Sequence, residues 1–222
     1  DFDKAVANVD FLPSAIQRND APSSQYRMDM SNSTLFLKLV GSSRILGDFI
    51  VYTSADWRGG GLGLQLQNAY MSTKYFTFGY TIGTFMDINA IPTTIDYGGP
   101  CGMTFYRATQ LQFRYGFDFG LSMGIAVEAP NVNATGGEYI DVGAQRCPNI
   151  PLFVQYNLHN NPNNHIRLGA VMRDISYTDK VKGVDTDKVG WGVQASMLAT
   201  IGKLQLKGQL TVGEGIGSLV NN

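Results

Sequence analysis

The chain has 222 residues, with 17 Lys and Arg against 18 Asp and Glu, and a net charge of −1. Cations so nearly balanced, and scattered rather than striped, argue against DNA or RNA as a partner. Charged residues make up 16% of the chain, below the roughly 25% of ordinary soluble domains, while 26 Gly and 11% aromatic residues suit strands that bend, pack and end in aromatic girdles.

Strands of roughly ten residues follow one another along the whole chain. Runs at 33–40 and 44–54 are joined by Gly41-Ser42-Ser43, and a longer gap at 55–61 carries Trp57-Arg58-Gly59-Gly60. The run 62–71 meets 75–83 across Ser72-Thr73-Lys74, and a long excursion at 84–104 leads to 105–116. Phe117-Asp118 turns the chain into 119–129, a loop at 130–148 follows, and 150–158 is linked to 165–177 by the turn 159–164. A loop at 178–187 leads into 188–200, which Ile201-Gly202-Lys203 returns into 204–213. Tight and long connections therefore alternate, as they do where short turns lie on the periplasmic side of a membrane barrel and long loops lie outside.

The faces of these strands point the same way. Leu111, Phe113 and Tyr115 alternate with Gln110, Gln112 and Arg114, and Leu121, Met123, Ile125 and Val127 alternate with Gly120, Ser122, Gly124, Ala126 and Glu128. Ile166, Leu168, Ala170 and Met172 alternate with Arg167, Gly169, Val171 and Arg173, and Leu204, Leu206, Leu210 and Val212 alternate with Gln205, Lys207, Gln209 and Thr211. An apolar outward face and a polar lumen are what a membrane barrel requires; a soluble sandwich with one wet face gives the same period. No apolar run approaches the roughly 20 residues of a membrane helix. The mean hydropathy of −0.08 fits strands with every second residue facing water. The start, Asp1-Phe2-Asp3-Lys4, does not read as a signal peptide, so the expectation is a mature chain or one that begins part-way into a longer protein.

Chemical motifs are few. Gly98-Gly99-Pro100-Cys101-Gly102 has no following Lys-Ser/Thr and reads as a loop bend rather than a phosphate loop. His159 and His165 flank a turn without a carboxylate or thiol cluster, and Asp185 and Asp187 lack the rest of a calcium loop. No metal and no cofactor is expected, and no hydrolase elbow is present. Cys101 and Cys147 both fall in expected long loops on one side, where an oxidising setting permits a disulfide; two unpaired thiols are the alternative.

The segment Gly79-Tyr80-Thr81-Ile82-Gly83-Thr84-Phe85-Met86-Asp87, followed by Ile95-Asp96-Tyr97-Gly98-Gly99-Pro100, is the most specific stretch of the chain. It resembles the third-loop signature of DcaP-type trimeric porins, in which a Gly-Gln-Thr-Trp-Ser-Thr-Phe-Met-Asp pattern leads to Asp-Phe-x-Gly-Pro and then to an Arg-x-x-Gln-x-Arg-Tyr strand. Arg107-Ala108-Thr109-Gln110-Leu111-Gln112-Phe113-Arg114-Tyr115 takes the place of that strand, while Tyr80 and Ile82 stand where Gln and Trp are usual, as in a distant branch. Phe11-Leu12-Pro13-Ser14-Ala15-Ile16 is similar to the first-loop Pro-Ser-x-Ile stretch of the family, and 33–39 to its second strand.

The resemblance implies an all-β, antiparallel transmembrane β-barrel of about sixteen strands, of which ten to eleven are seen here as a single domain over 1–222. It implies a homotrimer in the outer membrane of a Gram-negative bacterium, set in lipid and lipopolysaccharide, that passes ions and small hydrophilic, often anionic, solutes through a pore narrowed by the third loop at 84–104. Folding that loop inward would bring Asp87 and Asp96 towards strands carrying Arg107 and Arg114 and set up a transverse field across the constriction. Arg167, Arg173 and Lys207 are further basic candidates on lumen faces, and Glu128 an acidic one. In one reading the arginines attract anions while Asp87 and Asp96 hold the loop; in the other every arginine is paired internally and stiffens the wall. A plugged scaffolding barrel and an outer-membrane enzyme are the competing functions.

Overall fold

The computed structural model describes residues 30–220, apart from 32, 60–62, 93–102, 133–138, 159–160 and 162. Among these residues eleven strands form one antiparallel sheet, and each hydrogen-bonded pair is a hairpin neighbour or one strand removed. In chain order they are β1 (Thr34–Ser43), β2 (Gly47–Gly59), β3 (Gly63–Thr73), β4 (Phe76–Ile82), β5 (Arg107–Gly116), β6 (Leu121–Glu128), β7 (Ile140–Val142), β8 (Ile150–Asn157), β9 (His165–Asp179), β10 (Val184–Ile201) and β11 (Leu204–Glu214). β1 and β11 are the two edges, and the short β7 lies off the main path on the far end of β9.

The sheet is inside-out relative to a soluble protein. In β6 Met123, Ile125 and Val127 are exposed, whereas Gly124, Ala126 and Glu128 are buried. In β10 Trp191, Val193, Ala195 and Met197 are exposed, whereas Gly192, Gln194 and Ser196 are buried. One face is therefore a continuous apolar surface, and the polar face is the one that gathers other parts of the chain. That distribution is stable in hydrocarbon and costly in water.

What gathers on the polar face is the segment between β4 and β5. Phe85, Met86, Ile91, Met103 and Tyr106 form a buried cluster with Ala108, Val171, Ile216 and Leu219. The core of the molecule is thus made by an inturned loop and the 3-10 turn Gly217–Leu219, packed on the polar side of the sheet.

Three boundaries differ from those expected. The first hairpin turns at 44–46, beyond Gly41-Ser42-Ser43, where Gly47 takes the left-handed conformation with φ 67° that closes the turn. Trp57-Arg58-Gly59 is not loop but the end of β2, because a bulge at Ser54/Ala55 absorbs the irregularity and pairing continues to Gly59 opposite Gly63. The expected loop at 178–187 is a tight hairpin: β9 and β10 stay paired to Asp179 and Val184, and the Asp179 carboxylate accepts from the backbone N–H groups of Val181 and Lys182. Polarity alone suggested a loop, but hydrogen bonding between strands does not require apolar side chains.

Candidate functional site

The inturned segment begins where β4 ends, at Gly83. No side chain fits there, since a Cβ would lie 2.0 Å from the Tyr106 ring. Thr84 follows and is held on every side. Its backbone N–H donates to Glu128 Oε1 at 2.6 Å, its hydroxyl donates to Gln110 Oε1 at 2.6 Å, and Gln112 Nε2 donates to that hydroxyl at 2.8 Å. Arg167 Nη2 donates to its carbonyl at 2.6 Å, with the guanidinium 3.8 Å above the Phe153 ring. Tyr106 closes this group: its hydroxyl donates to Glu128 Oε2 at 2.9 Å and accepts from the Phe85 backbone N–H at 3.3 Å. Burial, with the Glu128 carboxylate beside it, pushes the Tyr106 phenol well above its usual range, so it remains a donor.

Phe85 is fully buried. It sits where β9 and β10 have no side chains: a Cβ on Gly169 would lie 3.4 Å from its ring, and one on Gly192 would lie 3.3 Å from it and 2.9 Å from Ile216 Cγ2. These glycines make a seat for an aromatic ring.

Asp87 fastens the far side of the loop. Its Oδ2 accepts from Ser196 Oγ at 2.5 Å and lies 2.9 Å from His165 Nε2, while Oδ1 accepts from the Asn89 backbone N–H at 3.2 Å and caps the 3-10 turn Ile88–Ala90. Burial alone would push this carboxyl up, but the hydrogen bonds from Ser196 and His165 outweigh it and hold Asp87 below its ordinary value. Further along, Lys207 Nζ donates to the Ile91 carbonyl at 3.1 Å, and Thr104 meets Gln194 at 3.2 Å and Gln209 at 3.0 Å.

The expected site residues are therefore distributed over different roles. Asp87, Glu128, Arg167 and Lys207 converge on the loop and hold it. Arg173 is buried and bonds to Asn149, Ser218 and the carbonyls of Gly215 and Asn131, tying the 3-10 turn Gly217–Leu219 to the wall. Arg107 and Arg114, seven residues apart on β5, lie on opposite faces by alternation. Arg107 is in phase with Leu111 and Phe113, with its guanidinium 5.4 Å above the Phe105 ring. Arg114 is in phase with Gln110 and Gln112 on the loop-bearing face, where it stays exposed with one long contact, 3.4 Å, to Ser72 Oγ. Asp96 lies outside the described residues, as does Cys101; Cys147 is an exposed thiol.

Sequence reasoning gave His165, Ser196, Tyr106 and Gly192 no part in the site, and placed Gly169 on the polar face without a role. His165 reads as a turn residue, yet it shares the phase of Arg167, Gly169, Val171 and Arg173, and that phase is the signal that places it inside. Ser196 and Gly192 likewise share the phase of Gln194.

No protein family and no curated protein gives a match. Among solved structures, the outer membrane channel DcaP of Acinetobacter baumannii is similar, with a TM-score of 0.71 and 16% sequence identity. The match covers 86% of this chain and 54% of that one, so the chain spans about half the length of that channel. The likeness is one of fold, and it agrees with the resemblance carried by 79–100 and 107–115: this all-β antiparallel sheet is built as the wall of an outer membrane channel is built.

Proposed function

We propose that this protein is a diffusion channel of the Gram-negative outer membrane, whose sheet is part of a closed transmembrane β-barrel. Small hydrophilic solutes pass through a lumen narrowed by the segment between β4 and β5, and the barrel assembles as a homotrimer in lipid and lipopolysaccharide. The observation that carries this reading is the inverted sheet: an apolar face left bare, and a polar face onto which one long loop is fastened by buried hydrogen bonds. A soluble protein would bury the first face and wet the second. A channel also explains why the loop is held so firmly, since its position sets the bore.

Anion preference rests on fewer charges than the sequence suggests. Arg167, Arg173 and Lys207 bond to backbone carbonyls and Arg58 pairs with Asp56, so that among the described residues Arg114, Lys38 and Lys188 are the other exposed cations in the phase of the loop-bearing face. Lys38 is opposite Tyr52 on β1.

The test is conductance of the purified full-length protein in planar bilayers. Stepwise channels with a reversal potential favouring anions are expected. Arg114→Gln combined with Lys38→Gln should move the reversal potential towards cations, whereas Arg107→Gln should not. A refolded protein that conducts nothing would instead point to the scaffolding barrel.

A further inference from the structure

The polar face carries three aromatic rings in line. Phe36 and Tyr52 stack with centroids 6.1 Å apart and planes 25° apart, and Tyr52 and Tyr70 lie 5.6 Å apart. The sheet register fixes which face they occupy. Lys38 is opposite Tyr52, Tyr52 opposite Tyr70, Tyr70 opposite Gly79, Gly79 opposite Gln110 and Gln110 opposite Glu128. Residues directly opposite each other project from the same face. Gln110 and Glu128 hold Thr84, so the two tyrosines and Lys38 share the loop-bearing face, and Phe36, two residues before Lys38, does too. The described anchors of the loop fall on β5, β6, β9, β10 and β11, away from this strip; Phe36 is 63% exposed, and Tyr52 and Tyr70 are half-buried. Gly79 supplies no side chain to cover Tyr70 from the next strand.

Both margins of the strip are lined by groups that donate and accept. On one side Asn68 Nδ2 donates to Ser54 Oγ at 3.0 Å and Asn68 Oδ1 accepts from Thr81 Oγ1 at 3.0 Å. On the other side the hydroxyls of Ser72 and Thr77 meet at 3.0 Å. Aligned rings between two rims of hydroxyl and amide groups match the surface of a pyranose, which has apolar C–H faces and an edge of hydroxyls that both donate and accept. Tyr and Phe offer that contact area at a small entropic cost, because each has only two side-chain torsions.

We propose that Phe36, Tyr52 and Tyr70 form a stacking track for neutral oligosaccharides on the inner wall, with Asn68, Ser72 and Thr81 contacting the sugar hydroxyls and the buried Ser54 orienting the Asn68 amide. The inference rests on the reading of this face as a lumen. It asks the rings, and not Lys38, to supply the recognition.

The probe is maltohexaose, measured by isothermal titration of the detergent-solubilised full-length protein and by block of single-channel current. Maltohexaose should bind and interrupt the current. Tyr52→Ala and Tyr70→Ala should each weaken binding about fivefold, while Tyr52→Phe and Lys38→Gln keep wild-type affinity, with strand content checked by circular dichroism. Channels that conduct but show neither heat nor block, or ring variants that bind as wild type does, would overturn the track. Binding of benzoate in place of maltohexaose, lost in Lys38→Gln, would overturn it in favour of an anion site. Calorimetric binding that depends on the rings in a protein that does not conduct would retain the track and reject the channel.

Discussion

Asp87 shows how much one carboxylate can do when it is buried. It takes a proton donor from each of two strands, Ser196 on β10 and His165 on β9, and a third from its own loop. Leaving a buried partner unsatisfied costs about 1–3 kcal/mol, more when charge is involved, so Asp87→Ala should loosen the loop by at least that much. The expected readout is a larger and noisier single-channel conductance, with Asp87→Asn intermediate because an amide still accepts. The pH dependence follows from the sign of the shift. A carboxyl whose folded value is depressed contributes its stabilisation above the ordinary value, 3.8, and loses it as pH falls through the depressed one. Conductance should therefore stay constant from neutral pH down to about pH 4 and rise only in stronger acid; a rise between about pH 6 and pH 7 would assign the control to another group. Asp87 stands out in the sequence only through the resemblance carried by the Thr-Phe-Met-Asp run. Its partners do not stand out: His165 and Ser196 are 78 and 109 residues away, and nothing local marks a residue as the acceptor's counterpart.

At the scale of elements, the loop and the wall are shaped for each other. Phe85 needs the space that Gly192 leaves, and a leucine there would take it, whereas a Cβ on Gly169 would meet the ring at an ordinary contact distance. Gly192→Leu should unseat Phe85 and expose the peptide bond that follows it to chymotrypsin, which cleaves after aromatic residues. Cleavage as slow as in the wild type would show that the seat is not what holds the ring. The strands themselves were legible, because β6, β8 and the stretches 109–115, 166–172 and 204–212 alternate between a mostly apolar, exposed side and a buried or polar one. Their ends were not. At about 3.3 Å per residue, the 18 residues of β10 exceed the roughly 9–11 that cross a bilayer, and alternation stops before Val189, where Asp185, Asp187 and Lys188 follow one another closely. Past the apolar band both faces meet water, and the two-fold pattern that marks a strand disappears although the pairing persists.

The whole molecule is organised by which solvent each face meets. Leu168 and Val193 are exposed on the apolar side of the two longest strands, and arginine at either should cost about 2–4 kcal/mol at the bilayer centre and impair insertion into lipid vesicles. Gln205→Arg, on the opposite face of β11, should insert as the wild type does. Equal insertion of all three variants would mean that the bare face is not in hydrocarbon. The loop fastenings carry a consequence for the order of assembly. Thr84 can be secured as soon as β5 and β6 are paired with β4, since Gln110 and Glu128 are 26 and 44 residues away. Ser196 and Lys207, 109 and 116 residues from their partners, arrive only with β10 and β11. Contacts so distant in sequence form late, so a nascent chain passes through a stage in which the loop is pinned at its root and free at its tip. In the channel proposed above, the bore is then the last dimension to be set.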